Sequence, residues 1–267
     1  MTKADLHIHS TVSDGSETIE DILKAAEKKG LHFISITDHD TVSQLGQIPP
    51  GTRVKVIGGV EISAADKDGM KAHLLGYNLQ RPEPVAEVTR PVLEARNRNS
   101  ERQAEILIRH GYRIDMGKLA RADGKYLYKQ HIMDYLVSTG QVPRMFNGFY
   151  QSTFKNHGIC DFDIEYADVF EALEAVKAAG GQAVLAHCGQ QQNFYLIPAL
   201  ARRGLDGLEL NHHTNSPGDR ALIRKYAEEY GLFLTGGSDY HGRYEPQPFG
   251  IGDFLSEESG VTAICQR

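Results

Sequence analysis

Two histidines separated by one residue, His7-Ile8-His9, end the short stretch that begins at Ala4. Side chains two apart in a strand share a face, so both imidazoles point the same way and can chelate one cation. Near the other end of the chain, Asp239-Tyr240-His241 repeats this spacing. Between them, Asp14 follows the first stretch in a turn, His39 sits in Thr37-Asp38-His39-Asp40, Glu61 in Gly59-Val60-Glu61-Ile62-Ser63, His73 opens an apolar run, and His187 ends another. Buried strands seldom carry His, Asp or Glu unless the group is paired or bound to metal. Each residue alone has an ordinary reading as a satisfied histidine, a turn carboxylate or a helix cap. It is the joint pattern that points to a metal cage. His7, His9, Asp14, His39, Glu61, His73, His187, Asp239 and His241 fall on six elements, nearly all at or just past the carboxyl end. Mixed imidazole and carboxylate donors suit Mn²⁺, Zn²⁺ or Fe²⁺, with Mg²⁺ less favoured. Nine donors with one bridging carboxylate, such as Glu61, suffice for about three divalent ions.

The elements that must position these residues alternate. Strand patterns run Ala4–His9, Phe33–Thr37, Val54–Gly59, Ala72–Tyr77, Ala183–His187, Leu205–Leu210 and Phe233–Gly236. Helical patterns lie between many of them: Ile19–Lys29, with Thr18 as cap and Gly30 as stop, then Ala167–Ala179, Phe194–Arg203 and Pro217–Tyr230. Such alternation predicts a parallel α/β architecture, and about seven strands suit a distorted (β/α)7 barrel better than an open sheet. In barrels the carboxyl ends of the strands carry the active site. Residues 81–158 show few strand signals; Val85–His110 and Lys129–Ser138 read as helices. The expected organisation is a barrel from residues 1–80 and 159–267 with a small helical insert at 81–158. The stretch Gly140–Gly158, rich in Gly, Phe, Asn and Tyr, is expected to form a lid.

Composition narrows the class. The chain has 267 residues, 40% hydrophobic and 24% charged, which fits a globular protein with a sizeable core. A net charge of −6 argues against gripping long nucleic acid and favours a small substrate. Apolar runs such as Ala183–Ala186 are too short to cross a bilayer. Cys160, Cys188 and Cys265 form neither a disulfide framework nor a thiolate zinc site. With no signal peptide before the first motif, a cytoplasmic location is expected. Oligomeric state leaves no trace in the sequence.

The motifs Asp5-Leu6-His7-Ile8-His9-Ser10 with Ser13-Asp14-Gly15, Ile36-Thr37-Asp38-His39-Asp40, Gly59-Val60-Glu61, Ala186-His187 and Gly237-Ser238-Asp239-Tyr240-His241 occur in one order. Together they resemble the PHP (polymerase and histidinol phosphatase) family of the amidohydrolase superfamily. The resemblance runs from Asp5 to His241 and is weakest in the insert. It implies a distorted seven-stranded barrel with a trinuclear metal site. His7, His9, Glu61 and Asp239 would hold one ion. Glu61, His73 and His187 would hold a second, with Glu61 bridging, and Asp14, His39 and His241 a third. Asp38 would support ligands without touching metal. Length and insert position are similar to those of the small stand-alone phosphoesterases, some acting on nucleoside 3′,5′-bisphosphates and some on five-membered cyclic phosphates of ribose. Where that subgroup often has Arg-Pro-His, this chain has Lys129-Gln130-His131, and a family His-Pro-Gly appears as His187-Cys188-Gly189.

For a phosphate ester, such a cage activates water and neutralises phosphoryl oxygens. A leaving alkoxide also needs a proton, for which a metal-bound water, His212 and His213 are the candidates. Phosphate oxygens need cationic donors, offered near the insert by Lys129, Lys155, Arg98, Arg102 and Arg144, with His131 beside them. Tyr126 and Tyr128 could stack on a base or sugar. The expected activity is P–O hydrolysis of a small phosphorylated metabolite, with 5′–3′ trimming of oligonucleotides by the same cage as the alternative.

Overall fold

The structure is a computed structural model that describes residues 2–121, 125–146, 148–244 and 249–266. Strand β1 (Ala4–Ile8) is buried along its whole length. Helix α1 (Ile19–Lys28) follows, with the Thr18 hydroxyl accepting from the Asp21 backbone N–H and Gly30 at φ +67° just past its end. Its buried residues Ile19, Ile22, Leu23 and Ala26 recur at helical spacing, which lays one face on the sheet. Then come β2 (Phe33–Ile36), β3 (Lys55–Ala65) and β4 (Lys71–Tyr77). Beyond the insert lie β5 (Ala167–Asp168), β6 (Gln182–Leu185), β7 (Gly207–Asn211) and β8 (Phe233–Gly236).

Seven strands form one path, β1-β2-β3-β4-β6-β7-β8, with the two-residue β5 attached to β3. The path nearly closes on itself. Ile8 bridges Tyr240, and the Asp239 N–H donates to the His7 carbonyl at 2.8 Å. The result is the expected α/β barrel-like sheet, with one departure from an all-parallel arrangement. β4 runs antiparallel to both β3 and β6. The cause is local: β3 continues past Glu61 and turns at 66–70 straight into β4. A hairpin this short can only return antiparallel.

The insert is built on α2 (Glu83–Arg109), α3 (Met116–Leu119), α4 (Lys129–Ser138) and α5 (Gly148–Phe154). Val85, in the first part of α2, packs into the barrel core. Its last turns join a separate core with Leu119, Ile132, Met133, Leu136 and Phe154. The stretch expected as a lid contains α5, whose Phe154 is buried in that core and whose Phe149 packs against it. Phe146, in the same stretch, instead lines a lobe with Asp239 and His241. Helices α6 (Val169–Ala178), α7 (Cys188–Gln191), α8 (Ile197–Arg202) and α9 (Pro217–Tyr230) complete the layer around the later strands. Among the described residues no helix is long and apolar enough to cross a membrane.

Candidate metal centre

All nine sequence candidates meet at one end of the barrel. The reversal of β4 explains how His73 joins them, because the start of a reversed strand lies beside the carboxyl ends of its neighbours. Glu61 is the hub. Its Oε2 lies 3.2 Å from His7 Nε2, 3.1 Å from His9 Nε2 and 3.2 Å from His39 Nδ1. Its Oε1 lies 2.7 Å from His73 Nδ1 and 2.9 Å from His187 Nε2. Asp239 Oδ1 approaches His7 and His9 Nε2 at 3.3 and 3.1 Å. Asp14 Oδ1 lies 3.7 Å from His9 Nδ1 and 3.5 Å from His241 Nε2.

Three groups have donor atoms within 4.8 Å of one another: His7, His9, Glu61 and Asp239; His39, Glu61 and His73; and His9, Asp14, His39 and His241. Two ligands about 2.1 Å from a tetrahedral ion stand roughly 3.4 Å apart, so these spacings suit shared cations. His7 Nε2, both ring nitrogens of His9, and Asp239 Oδ1 are buried and make no hydrogen bond. Buried donors left in that state cost free energy unless something else binds them. The donor set thus fits divalent metal.

The electrostatics agree. Burial pushes the Glu61 carboxyl up, yet His39, His73 and His7 hold it well below the ordinary range. Asp239 behaves likewise, with His7 as its largest opposing partner. Burial opposes charge on His7, but Glu209, Asp239 and Glu61 hold its pKa well above the usual value. His39, buried beside other imidazoles, is pushed down to about 3. The cage carboxylates are therefore ionised and able to receive cations.

Several contacts hold this geometry. Asp38 accepts from Ser10 N–H (2.8 Å), Ser10 Oγ (2.7 Å), Ser13 N–H (3.2 Å) and Ser13 Oγ (2.6 Å), which pins the turn presenting Asp14. Asp40 (φ +59°), His187 (φ +23°) and Asp239 (φ +52°) adopt positive φ without being glycine. Such strain persists where surrounding contacts over-determine it, and it collects at functional sites. A Cβ at Gly237 would lie 2.4 Å from His7 N, so only glycine lets the chain after β8 close against β1.

Sequence reasoning passed over Glu209. This buried carboxylate receives His7 Nδ1–H at 2.9 Å and the His187 backbone N–H at 2.9 Å. It fixes the His7 tautomer with Nε2 toward the cage, as outer partners of metal-ligating histidines do. The signal was present as a lone glutamate inside the apolar run Leu205–Leu210.

A cleft of about 520 Å³ opens above the cage and is lined by Asp14, His39 and His73. Lys71, Arg96, Gln130 and Tyr166 line both this cleft and a smaller chamber of about 120 Å³ that also holds Lys129 and Lys155. Arg96 pairs with Asp40 (2.8 Å) and Lys71 with Asp163 (2.5 Å). Lys129 and Lys155 have no ion-pair partner among the described residues. Burial and the neighbouring Lys155 push the Lys129 ammonium down to about 8.

The other sequence candidates lie elsewhere. Arg98 lines a separate groove and pairs with Glu94, Arg102 covers the Phe162 ring, and Arg144 lines a groove with Asp134 and Arg243. His131 Nδ1 accepts from the Tyr128 N–H at the start of α4, and burial pushes its pKa down to about 4. Tyr128 is itself buried, its hydroxyl donating to the His39 carbonyl at 2.8 Å. His212 sits inside the cage wall, with Nε2 3.2 Å from Asp239 Oδ2 and Nδ1 2.7 Å from Thr214 Oγ1. His213 faces a lobe shared with Gln130, Phe146, Gln190, Asp239, His241 and Tyr244.

The model of the PHP domain family matches residues 5–232. The chain belongs to the PHP domain family. This PHP domain is 40% identical to the phosphoribosyl 1,2-cyclic phosphate 1,2-diphosphodiesterase of Eggerthella lenta, over 91% of the chain and 96% of that protein. It is 28% identical to a 5′-3′ exoribonuclease of Haemophilus influenzae, over 90% of the chain and 91% of the relative. It superposes with a TM-score of 0.88 on a Bifidobacterium adolescentis structure described as a metal-dependent phosphoesterase. That match has 28% identity and covers 98% of the chain and 95% of the other. The PHP domain is a phosphoric ester hydrolase with a cage suited to divalent metal.

Proposed function

We propose that this PHP domain hydrolyses the cyclic phosphodiester of a small ribose that carries a second phosphate. The observation that carries the reading is the wall shared by the metal cage and the cation chamber, at Lys71, Arg96, Gln130 and Tyr166. A ligand with two phosphates finds one place beside the cage and another beside Lys129 and Lys155. The name of the Eggerthella lenta relative supports the same substrate class.

In this reading His7, His9, Glu61 and Asp239 hold one ion, Glu61, His73 and His187 a second, and Asp14, His39 and His241 a third, with His9 also near the last. Ions held there supply an activated water and neutralise phosphoryl charge. The chain's own groups do the rest. Lys129 and Lys155 hold the remote phosphate and so orient the ester in the cleft. His213 is the better placed of the two histidines to protonate the leaving alkoxide, because it lines the lobe beside Asp239 and His241. Both ring nitrogens of His212 already face Thr214 and Asp239.

Exonucleolytic trimming is the second reading, favoured by the Haemophilus influenzae relative. Against it stands the groove of about 1030 Å³ beyond Lys71 and Tyr166. Asp66, Glu87, Asp163, Glu165, Asp168 and Glu171 line it against Lys67, Lys71 and Arg98, a poor bed for a phosphate backbone. The deciding experiment incubates the purified protein and Mn²⁺ with ribose 1,2-cyclic phosphate 5-phosphate, a nucleoside 3′,5′-bisphosphate and a 5′-phosphorylated oligonucleotide, followed by ³¹P NMR. Preferential loss of the cyclic resonance is expected. Turnover of the oligonucleotide alone would refute the proposal.

A further inference from the structure

Gln130 is the second residue of α4 and lines three spaces: the cleft above the cage, the cation chamber, and the lobe that contains His213. Its side-chain N–H donates to Asp14 Oδ2 at 2.8 Å. The other oxygen, Oδ1, faces His9 Nδ1 and His241 Nε2 at 3.7 and 3.5 Å, and lies 3.2 Å from Ser13 Oγ, whose hydrogen goes to Asp38. The two oxygens of one carboxylate therefore have separate partners. One is directed at imidazoles of the barrel, and the other is tied to the insert. Without that tie, the carboxylate could turn about its terminal torsion, which is broad and two-fold, and exchange its oxygens.

We infer that Gln130 is a positioning residue that holds Asp14 so that Oδ1 alone faces the Asp14–His39–His241 position. Occupation of that position then depends on how α4 is docked, and the insert becomes part of the metal site without supplying a ligand. Groups that hydrogen-bond a metal-ligating carboxylate govern its orientation and the affinity of the ion it holds. This inference rests on the reading of the cage as a metal site but not on the choice of substrate.

The test is a calorimetric titration of metal-stripped protein with Mn²⁺ alone, comparing wild type with Gln130→Met and Gln130→Ala. Methionine preserves length and removes the donor, and alanine removes both. In each variant one class of sites should weaken by roughly tenfold to a hundredfold while the others keep their affinity. Thermal melting of the stripped protein identifies a variant that fails to fold, and the other variant then carries the test. Unchanged binding in the folded variants, or equal weakening of all sites, would overturn the inference. Because the titration needs no turnover, selective weakening in a protein that spares cyclic phosphates would sink the substrate reading and leave this one standing.

Discussion

Glu61 confronts five imidazoles with two oxygens, three on Oε2 and two on Oε1. A carboxylate divided in this way can bridge cations, whereas an amide offers a single acceptor oxygen. Glu61→Gln should therefore lower kcat/KM by roughly 10³-fold, the several kcal/mol that metal-ion charge stabilisation supplies. Glu209→Gln acts one bond further out. It weakens the contact that fixes the His7 ring, and steady-state kinetics should show a loss of about tenfold to a hundredfold. Lys129 gives a pH prediction. Its ammonium titrates at about 8 in the folded protein against an ordinary 10.5. The cation is thus lost as pH rises through 8, so KM should rise above that pH, while Lys129→Gln should start high and stay flat. For stability the sign is opposite. The unfolded chain binds the extra proton between pH 8 and 10.5, so this group's contribution to stability rises across that window.

Elements decide which of these residues meet, and here the sequence was legible in part. The i, i+2 pairs His7/His9 and Asp239/His241 announce themselves because buried strand ends tolerate such groups only when something binds them. Helix α9 was equally plain, since Ser216 and Asp219 form a capping box and Gly231 ends it. The reversal of β4 was not legible, because period-two patterning carries no strand direction. Arg96 and Lys71 gave no signal either. Both are ordinary surface residues in sequence, on a long helix and at the foot of a hairpin, until the fold turns them toward one chamber. In the aromatic loop at 140–158, composition did not separate Phe154, buried in the core between α2 and α4, from Phe146, which lines the lobe beside His213. Closure of the barrel yields a prediction of its own. Gly237→Ala must displace β1 at His7, and overpacking of this kind costs about 1–3 kcal/mol. Urea denaturation should show that loss, and the same variant should retain less metal.

At the scale of the whole molecule, a barrel supplies the cage and a helical insert supplies the chamber beside it. The net charge is −6, carboxylates outnumber cations in the outer groove, and Lys129 and Lys155 lie together in the chamber. Selection by size follows from this, and 5′-phosphorylated oligonucleotides should compete poorly with compact bisphosphorylated sugars in inhibition assays. All of it depends on residues scattered from His7 to His241 jointly holding cations. Anomalous diffraction from crystals grown with Mn²⁺ tests this directly. The account predicts three peaks, one among His7, His9, Glu61 and Asp239, one beside Glu61, His73 and His187, and one beside Asp14, His39 and His241. Peaks absent from the barrel mouth, or confined to surface carboxylates, would contradict it.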